Sequence, residues 1–234
     1  MTNPFDFFDK IFFINLDRRE DRLNSCIDQF NKYGLTSNVE RFSAINLTYS
    51  NGSNDKLLAR AGCTLSHFEI CKIAKKENLQ NYLVLEDDFE FCLDKENVYK
   101  ILNQAIKELP NNWDMLYIGG NLTNEYGFNP IEKYTDGLFK LNACHTTHAM
   151  ALNSCFYDSF LDDCPTEESI IDWCFNNEII DVFLSKKILH KYKCFITKEL
   201  IALQSSGFSD IEKNSFDYRN WLISSFELFK KQIQ

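Results

Sequence analysis

The sequence predicts an α/β fold, with a mostly parallel central sheet covered by helices. Three observations predict it. Apolar runs of strand length alternate with amphipathic helical stretches from residue 10 to residue 118. The 234 residues are 44% hydrophobic and 15% aromatic, enough for one sizeable core. No repeat, linker or low-complexity tract divides the chain, so a single domain over residues 1–234 is expected.

The elements follow in order. Lys10-Ile11-Phe12-Phe13-Ile14-Asn15-Leu16 reads as a buried strand. Asp17 is placed to cap a helix over about 18–33, with Leu23, Cys26, Ile27 and Phe30 at helical spacing and Gly34 as its stop. A second strand spans 39–45. Residues 46–58 are polar and rich in Gly, Ser and Asn, which predicts a mobile loop. Leu65, Phe68, Ile70, Cys71 and Ile73 mark an amphipathic helix over 61–77. A strand at 81–86, a helix at 95–108 and a strand at 113–118, closing in Gly119-Gly120, complete the alternation. A loop is expected over 121–136 and two short strands within 138–152. Helices near 154–163 and 167–178, strands near 182–184, 189–196 and 200–204, and a helix at about 215–231 follow. On that last helix Trp221, Leu222, Phe226 and Phe229 form an apolar stripe, available for an oligomer contact or for docking on the same chain.

Composition narrows the function. A net charge of −9 argues against a nucleic-acid binder with a broad basic face. An anionic ligand would need cations placed locally. No run approaches the roughly 18 apolar residues of a membrane helix. The start, Met1-Thr2-Asn3-Pro4-Phe5-Asp6, lacks the regions of a signal peptide. Nine Cys without a C-x-x-C pair read as reduced thiols in a cytoplasmic protein. Cys63, Cys71, Cys92 and Cys144 are expected as small buried apolar groups. The sequons at Asn46, Asn51 and Asn121 are read as chance matches.

Five stretches carry chemistry. In "NYLVLEDDFEF" a strand ends in Glu86, Asp87 and Asp88. Like charges this close disfavour one another, so they await a cation or lie in water. At the carboxyl end of a strand in an open α/β sheet, hard oxygen ligands suit Mn²⁺ or Mg²⁺ bridging to phosphate. In "INLDRREDR", Arg18 and Arg22 lie four apart on one helical face and aim at a phosphate, unless they pair locally with Asp17, Glu20 and Asp21. In "AGCTLSHFE", Gly62 permits close backbone approach, and a helix starting there would offer free N–H groups to an anion. Ser66 and His67 follow as candidate contacts, with a core histidine as the plainer reading. His145 and His148 would face opposite sides of a strand, which argues against a shared metal. Asp172, between Ile171 and Trp173, reads either as a buried acid whose raised pKa suits it to take a proton, or as a cap or core hydrogen-bond partner.

Taken in order, "FFINLDRREDRL" (12–23), "AGCTLSHFEIC" (61–71), "YLVLEDDFEF" (82–91), "WDMLYIGG" (113–120), "THAMALN" (147–153), "IDWCF" (171–175) and "LQSSGFSDI" (203–211) resemble glycosyltransferase family 25. Its members include lipooligosaccharide galactosyltransferases and collagen β-galactosyltransferase domains. The resemblance implies a GT-A-like fold, with residues 1–120 as the nucleotide-binding half and 121–234 as the acceptor-side half. It implies a UDP-sugar donor, usually Mn²⁺, and inversion at the anomeric carbon. The family's Asp-x-Asp-type motif falls on Glu86-Asp87-Asp88. Asp88 would be the direct metal ligand and Glu86 its helper toward metal or ribose. Asn15, Arg18 and Arg22 would surround the nucleotide, with Ser66, His67 and Asp87 beside it. Gln204, Ser209 and Asp210 would close over the diphosphate, and Asp172 would be the base. The acceptor would be a glycan, a lipooligosaccharide or a hydroxylated protein. Met150, where an aromatic is commoner, and Cys174 after "IDW" depart from the pattern. Two rivals use the same residues: a metal-dependent nucleotidyl- or phosphotransferase, disfavoured because no Gly-rich loop ends in Lys-Ser/Thr, and an inactive glycan-binding relic of the fold.

Overall fold

The computed structural model describes residues 2–35, 38–47 and 55–233. Its elements in chain order are Lys10–Asn15 (β1), Glu20–Tyr33 (α1), Val39–Ser43 (β2), Asp55–Lys76 (α2), Asn81–Glu86 (β3), Phe89–Phe91 (β4) and Lys95–Glu108 (α3). Met115–Tyr117 (β5), Asn121–Leu122 (β6), Ile131–Lys133 (β7), Leu138–Leu141 (β8), Cys144–His145 (β9) and Ala149–Asn153 (β10) follow. Tyr157–Leu161 (α4), Ile170–Asn177 (α5), Ile180–Phe183 (α6), Cys194–Thr197 (β11), Ala202–Gln204 (β12), Gly207–Ser209 (β13), Asn214–Phe216 (β14) and Arg219–Gln232 (α7) complete the set.

Eight strands form one sheet in the order β2-β1-β3-β10-β5-β11-β8-β7. The pairings set β10 and β8 against the other strands, which all point one way. Alternation of side chains puts Phe12, Ile14, Tyr82, Val84, Met115 and Tyr117 into one core, under α2. Ile11, Phe13, Leu83, Leu85 and Leu116 enter the other, under α1 and α3. Burial on both faces explains why these strands read as unbroken apolar runs. The carboxyl ends of β1, β2 and β3 therefore open on one side, and the loops there build the site.

The second half corrects several expectations. The apolar run near 182–184 is helical, α6 followed by a π turn over Leu184–Ile188. An all-apolar run has no periodicity to separate strand from buried helix. Of 189–196, only residues from Cys194 onward are strand, and β6 and β7 lie within the expected loop 121–136. The last helix starts at Arg219, because 207–216 forms the β13–β14 hairpin. Leu222, Phe226 and Phe229 join the core of their own chain, whereas Trp221 is exposed. Asp17 does not cap α1; its carboxylate accepts from Arg41 (2.6 Å) and Ser43 (2.8 Å). Of the expected loop 46–58, residues 48–54 lie outside the described residues and 55–58 are helix.

That early start puts Gly62 inside α2, with no free N–H groups to offer an anion. Its role is close approach to its own chain: a Cβ there would stand 2.2 Å from the Ile45 carbonyl oxygen. Ser66 fastens the same joint, accepting from Ile45 N (3.0 Å) and donating to Gly62 O (2.8 Å). Gly62→Ala is expected to destabilise the fold by about 1–3 kcal/mol through overpacking. A urea midpoint unchanged from the parent would contradict it.

Candidate active site

The site lies where β1, β2 and β3 end. Ile14 and Leu16 from β1, Ala44–Asn46 after β2, Cys63 of α2 and Glu86–Asp88 after β3 line a cleft. Arg18, Arg22, Ser209 and Asp210 close its polar side. Seven of the residues singled out in the sequence thus meet here: Arg18, Arg22, Glu86, Asp87, Asp88, Ser209 and Asp210.

The three successive carboxylates separate. Glu86, last in β3, turns toward α2, accepting from His67 Nε2 (3.1 Å) and Thr147 Oγ1 (2.6 Å). Burial alone would raise its pKa, but these bonds outweigh it and hold Glu86 below the usual carboxylate value. Asp87 turns the other way and is buried. It accepts from Arg22 Nη1 (2.5 Å) on one oxygen and from Asn15 Nδ2 (2.8 Å) on the other. Asn15 therefore reaches the site through Asp87; it also accepts from Arg41 Nε (3.0 Å).

Asp88 is left with little. Its Oδ2 lies 3.5 Å from Gln204 Nε2 and 3.8 Å from Arg22 Nη1. Its Oδ1 is buried with no hydrogen-bond partner. Burial, and then the charge of Glu86, push its pKa up to about 7. Such an orphaned oxygen is costly unless a cation or donor arrives. A divalent ion suits this residue: Asp88 brings a hard, unpartnered carboxylate oxygen to the lining of a cleft that also holds Arg18 and Arg22 for phosphate.

The far half supplies the roof. β12 pairs antiparallel with β4, setting Gln204 opposite Phe89 and so beside Asp88. The β13–β14 hairpin is tied down by cations. Phe208 O accepts from Arg22 Nη2 (2.8 Å), and Asp210 accepts from Arg18 Nη2 (2.8 Å) and from Arg19. Glu212 accepts from Lys56 and from Arg60 Nη2 (3.1 Å). Arg18 and Arg22 thus use distant partners rather than Asp17, Glu20 and Asp21.

Ser66 and Asp172 depart from their sequence readings, and His67 takes the plainer of its two. Ser66 is buried, with its bonds spent inside the chain. His67 is buried and touches Glu86 rather than open cleft. Asp172 is exposed, so burial cannot be what would suit it to take a proton. Ile170 and Cys174, four apart, face the core, and helical geometry turns Asp172 away from them. His145 meets Tyr126 Oη (2.6 Å), and His148 is buried beside Thr146 and Ala202.

Thr147, Arg19, Glu212 and Cys63 had not been singled out for the site. Cys63 sits four residues before His67 on one helix, and its sulfur, His67 and Glu86 bring ligand atoms within 4.8 Å of one another. That i, i+4 spacing was the available signal.

The chain is 29% identical over 130 residues to procollagen galactosyltransferase 2 of Homo sapiens, a match covering 48% of this chain and 21% of that protein. It is 30% identical over 129 residues to a glycosyltransferase 25 family member of Drosophila melanogaster, covering 47% and 21%. The matches thus span about a fifth of the length of these relatives. Among solved structures it is similar to a glycosyltransferase involved in glycosylation of the major capsid of PBCV-1 (TM-score 0.39, 11% identity, 95% and 98% of the two chains). It is also similar to the galactosyltransferase LgtC with donor and acceptor sugar analogs (TM-score 0.37, 13% identity, 96% of each chain). The description "Glycosyltransferase family 25 (LPS biosynthesis protein)" matches residues 8–149, a stretch running from β1 through the carboxylates of β3 to the start of β10, and the chain belongs to that family.

Proposed function

We propose that this chain is an inverting hexosyltransferase. It moves galactose or glucose from a UDP-sugar to a hydroxyl of a glycan, lipooligosaccharide or hydroxylated protein, with Mn²⁺, or Mg²⁺ in its place, held by Asp88. The observation that carries the reading is the buried, unpartnered Asp88 oxygen in a cleft lined by Arg18 and Arg22. Family membership and the galactosyltransferase relatives support the choice of reaction and sugar.

A bound divalent ion would supply Lewis-acid neutralisation of the departing diphosphate. The chain's own residues do the rest. Arg22, anchored by Asp87, presents a fixed positive charge beside Asp88. Arg18 is held in a waiting position by Asp210, and phosphate oxygens would replace that carboxylate. Gln204, Ser209 and the hairpin then lie over the diphosphate and exclude water. Asp172, exposed on α5, is kept as the base that takes the acceptor proton, working in solvent rather than in a buried pocket.

Donor hydrolysis tests this. UDP-galactose or UDP-glucose is expected to release UDP only when Mn²⁺ or Mg²⁺ is present. Pyrophosphate release from a nucleoside triphosphate would favour a nucleotidyltransferase, and no turnover with any sugar nucleotide would favour a glycan-binding relic. Asp172→Asn is expected to spare donor binding and slow transfer about 10²–10⁴-fold. Unchanged transfer would remove Asp172 from the mechanism.

A further inference from the structure

The geometry points to a second cation site in the same cleft, formed by Cys63, His67 and Glu86 and selective for zinc over the hard ion proposed at Asp88. It rests on the proposed function only for its consequence: Zn²⁺ bound there captures Glu86 and inhibits turnover.

The donors come from rigid elements. Cys63 and His67 are four apart on one face of α2, and Glu86 ends β3 opposite them. Their ligand atoms all lie within 4.8 Å of one another, and His67 Nε2 is 3.1 Å from Glu86 Oε1. Ligands around tetrahedral zinc stand about 3.3–3.8 Å apart, given bonds of about 2.0–2.3 Å. A side-chain adjustment of about 1 Å therefore suffices. Thiolate, imidazole and carboxylate form a mixed set that favours zinc over Mn²⁺ or Mg²⁺.

His67 is buried, and Thr147 donates to the same Glu86 Oε1 that faces His67 (2.6 Å), a hydrogen bond that orients the carboxylate as supporting bonds do around metal ligands. Cys63 is half-buried, with burial pushing its thiol well above the ordinary value, and it lines the cleft, the side from which an ion would enter and a water would take the fourth position. On binding, Cys63 gives up its thiol proton to solvent. The His67 proton that Nε2 shares with Glu86 leaves that nitrogen on binding, the neutral ring then carrying its proton on Nδ1, and Nε2 is freed for the ion. No electrons move. Asp88 stands outside this group, and zinc takes Glu86, which the family resemblance makes the helper of Asp88 toward metal or ribose.

Cobalt provides a readout independent of catalysis. Co²⁺ added to the metal-stripped full chain is expected to give a thiolate-to-cobalt charge-transfer absorption that saturates at one equivalent and is displaced by Zn²⁺. Cys63→Ser should abolish it, and Asp88→Asn should retain it even though donor turnover is lost. Zn²⁺ should also slow alkylation of Cys63, mapped by peptide mass, at least tenfold in the unsubstituted protein, a measurement that does not depend on any variant folding. At fixed Mn²⁺, Zn²⁺ should inhibit the parent at concentrations at least tenfold below those needed for Cys63→Ser. Absence of the absorption from the parent, its persistence in Cys63→Ser, or unprotected alkylation would overturn the assignment. If no sugar nucleotide turns over, the cobalt spectrum still decides the site while the transferase reading falls separately.

Discussion

Replacing Asp88 with asparagine is expected to stop sugar transfer and, in the metal-free protein, to raise stability. The two effects share one cause. The carboxylate sits at the end of β3 with one buried oxygen unpartnered, and its pKa is pushed up to about 7 from an ordinary 3.8. Between about pH 4 and pH 7 the folded chain keeps a proton that the unfolded chain has released. Stability therefore falls as pH rises through that window and levels off above it. Three units at about 1.36 kcal/mol each set a ceiling of about 4 kcal/mol, and partial solvent access reduces this to about 2–3 kcal/mol. Asparagine has no charge to desolvate, so urea denaturation with a chelator present should show Asp88→Asn gaining on the parent as pH goes from 5 to 8. A divalent cation should stabilise the parent at pH 8 and leave the variant unmoved. Turnover of the donor should drop about 10³-fold, the equivalent of several kcal/mol of lost charge stabilisation. Equal pH slopes for the two proteins would show that Asp88 is not held protonated by the fold. An active variant would move the metal elsewhere.

How far the sequence alone could foresee this differs between the halves. Through residue 118, β1, β2, β3, α1 and α3 stand close to where apolar runs and helical spacing put them, because β1 and β3 are buried on both faces and α1 and α3 on one, whereas the early start of α2 at Asp55 and the short strand β4 were not foreseen. The second half builds with strands of two to five residues and with an apolar run, Val182–Leu184, that is helical instead of extended. Short elements take their conformation from neighbours far along the chain, such as β12 from β4. The same holds in the site. That Glu86, Asp87 and Asp88 gather with Arg18 and Arg22 was legible in the motifs. Which carboxylate meets which partner was not, since successive residues after β3 face α2 and α1 in turn. The expected burial of Asp172 is the instructive miss: apolar neighbours at i±1 suggested it, yet on a helix the residues at i±2 decide the face, and here Ile170 and Cys174 point inward.

Arg22→Met is expected to be the most destabilising single change in the cleft. Burial disfavours the Arg22 charge, but Asp88 and Asp87 outweigh it and keep the guanidinium protonated. Its fork serves two places at once: Nη1 donates to Asp87 and Nη2 to the carbonyl of Phe208, so it joins α1, the end of β3 and the β13 hairpin. Methionine fills the volume but leaves Asp87, 9% exposed, as a buried carboxylate held by Asn15 and no cation. Removing one partner from such a pair costs about 3–5 kcal/mol, whereas removing both can be nearly neutral. In a chain of this size about 3–5 kcal/mol lowers the melting temperature by roughly 10 °C. Lysine should rescue only in part, because a single ammonium does not reproduce the fork. Asp87→Asn in the same chain should recover much of the loss, since the amide carries no charge. A double-mutant cycle on thermal or urea unfolding should therefore give a coupling of about 2 kcal/mol or more. Strict additivity would mean that Arg22 and Asp87 are merely near one another, and that the strap over the cleft is anchored by Asp210 and Glu212 alone.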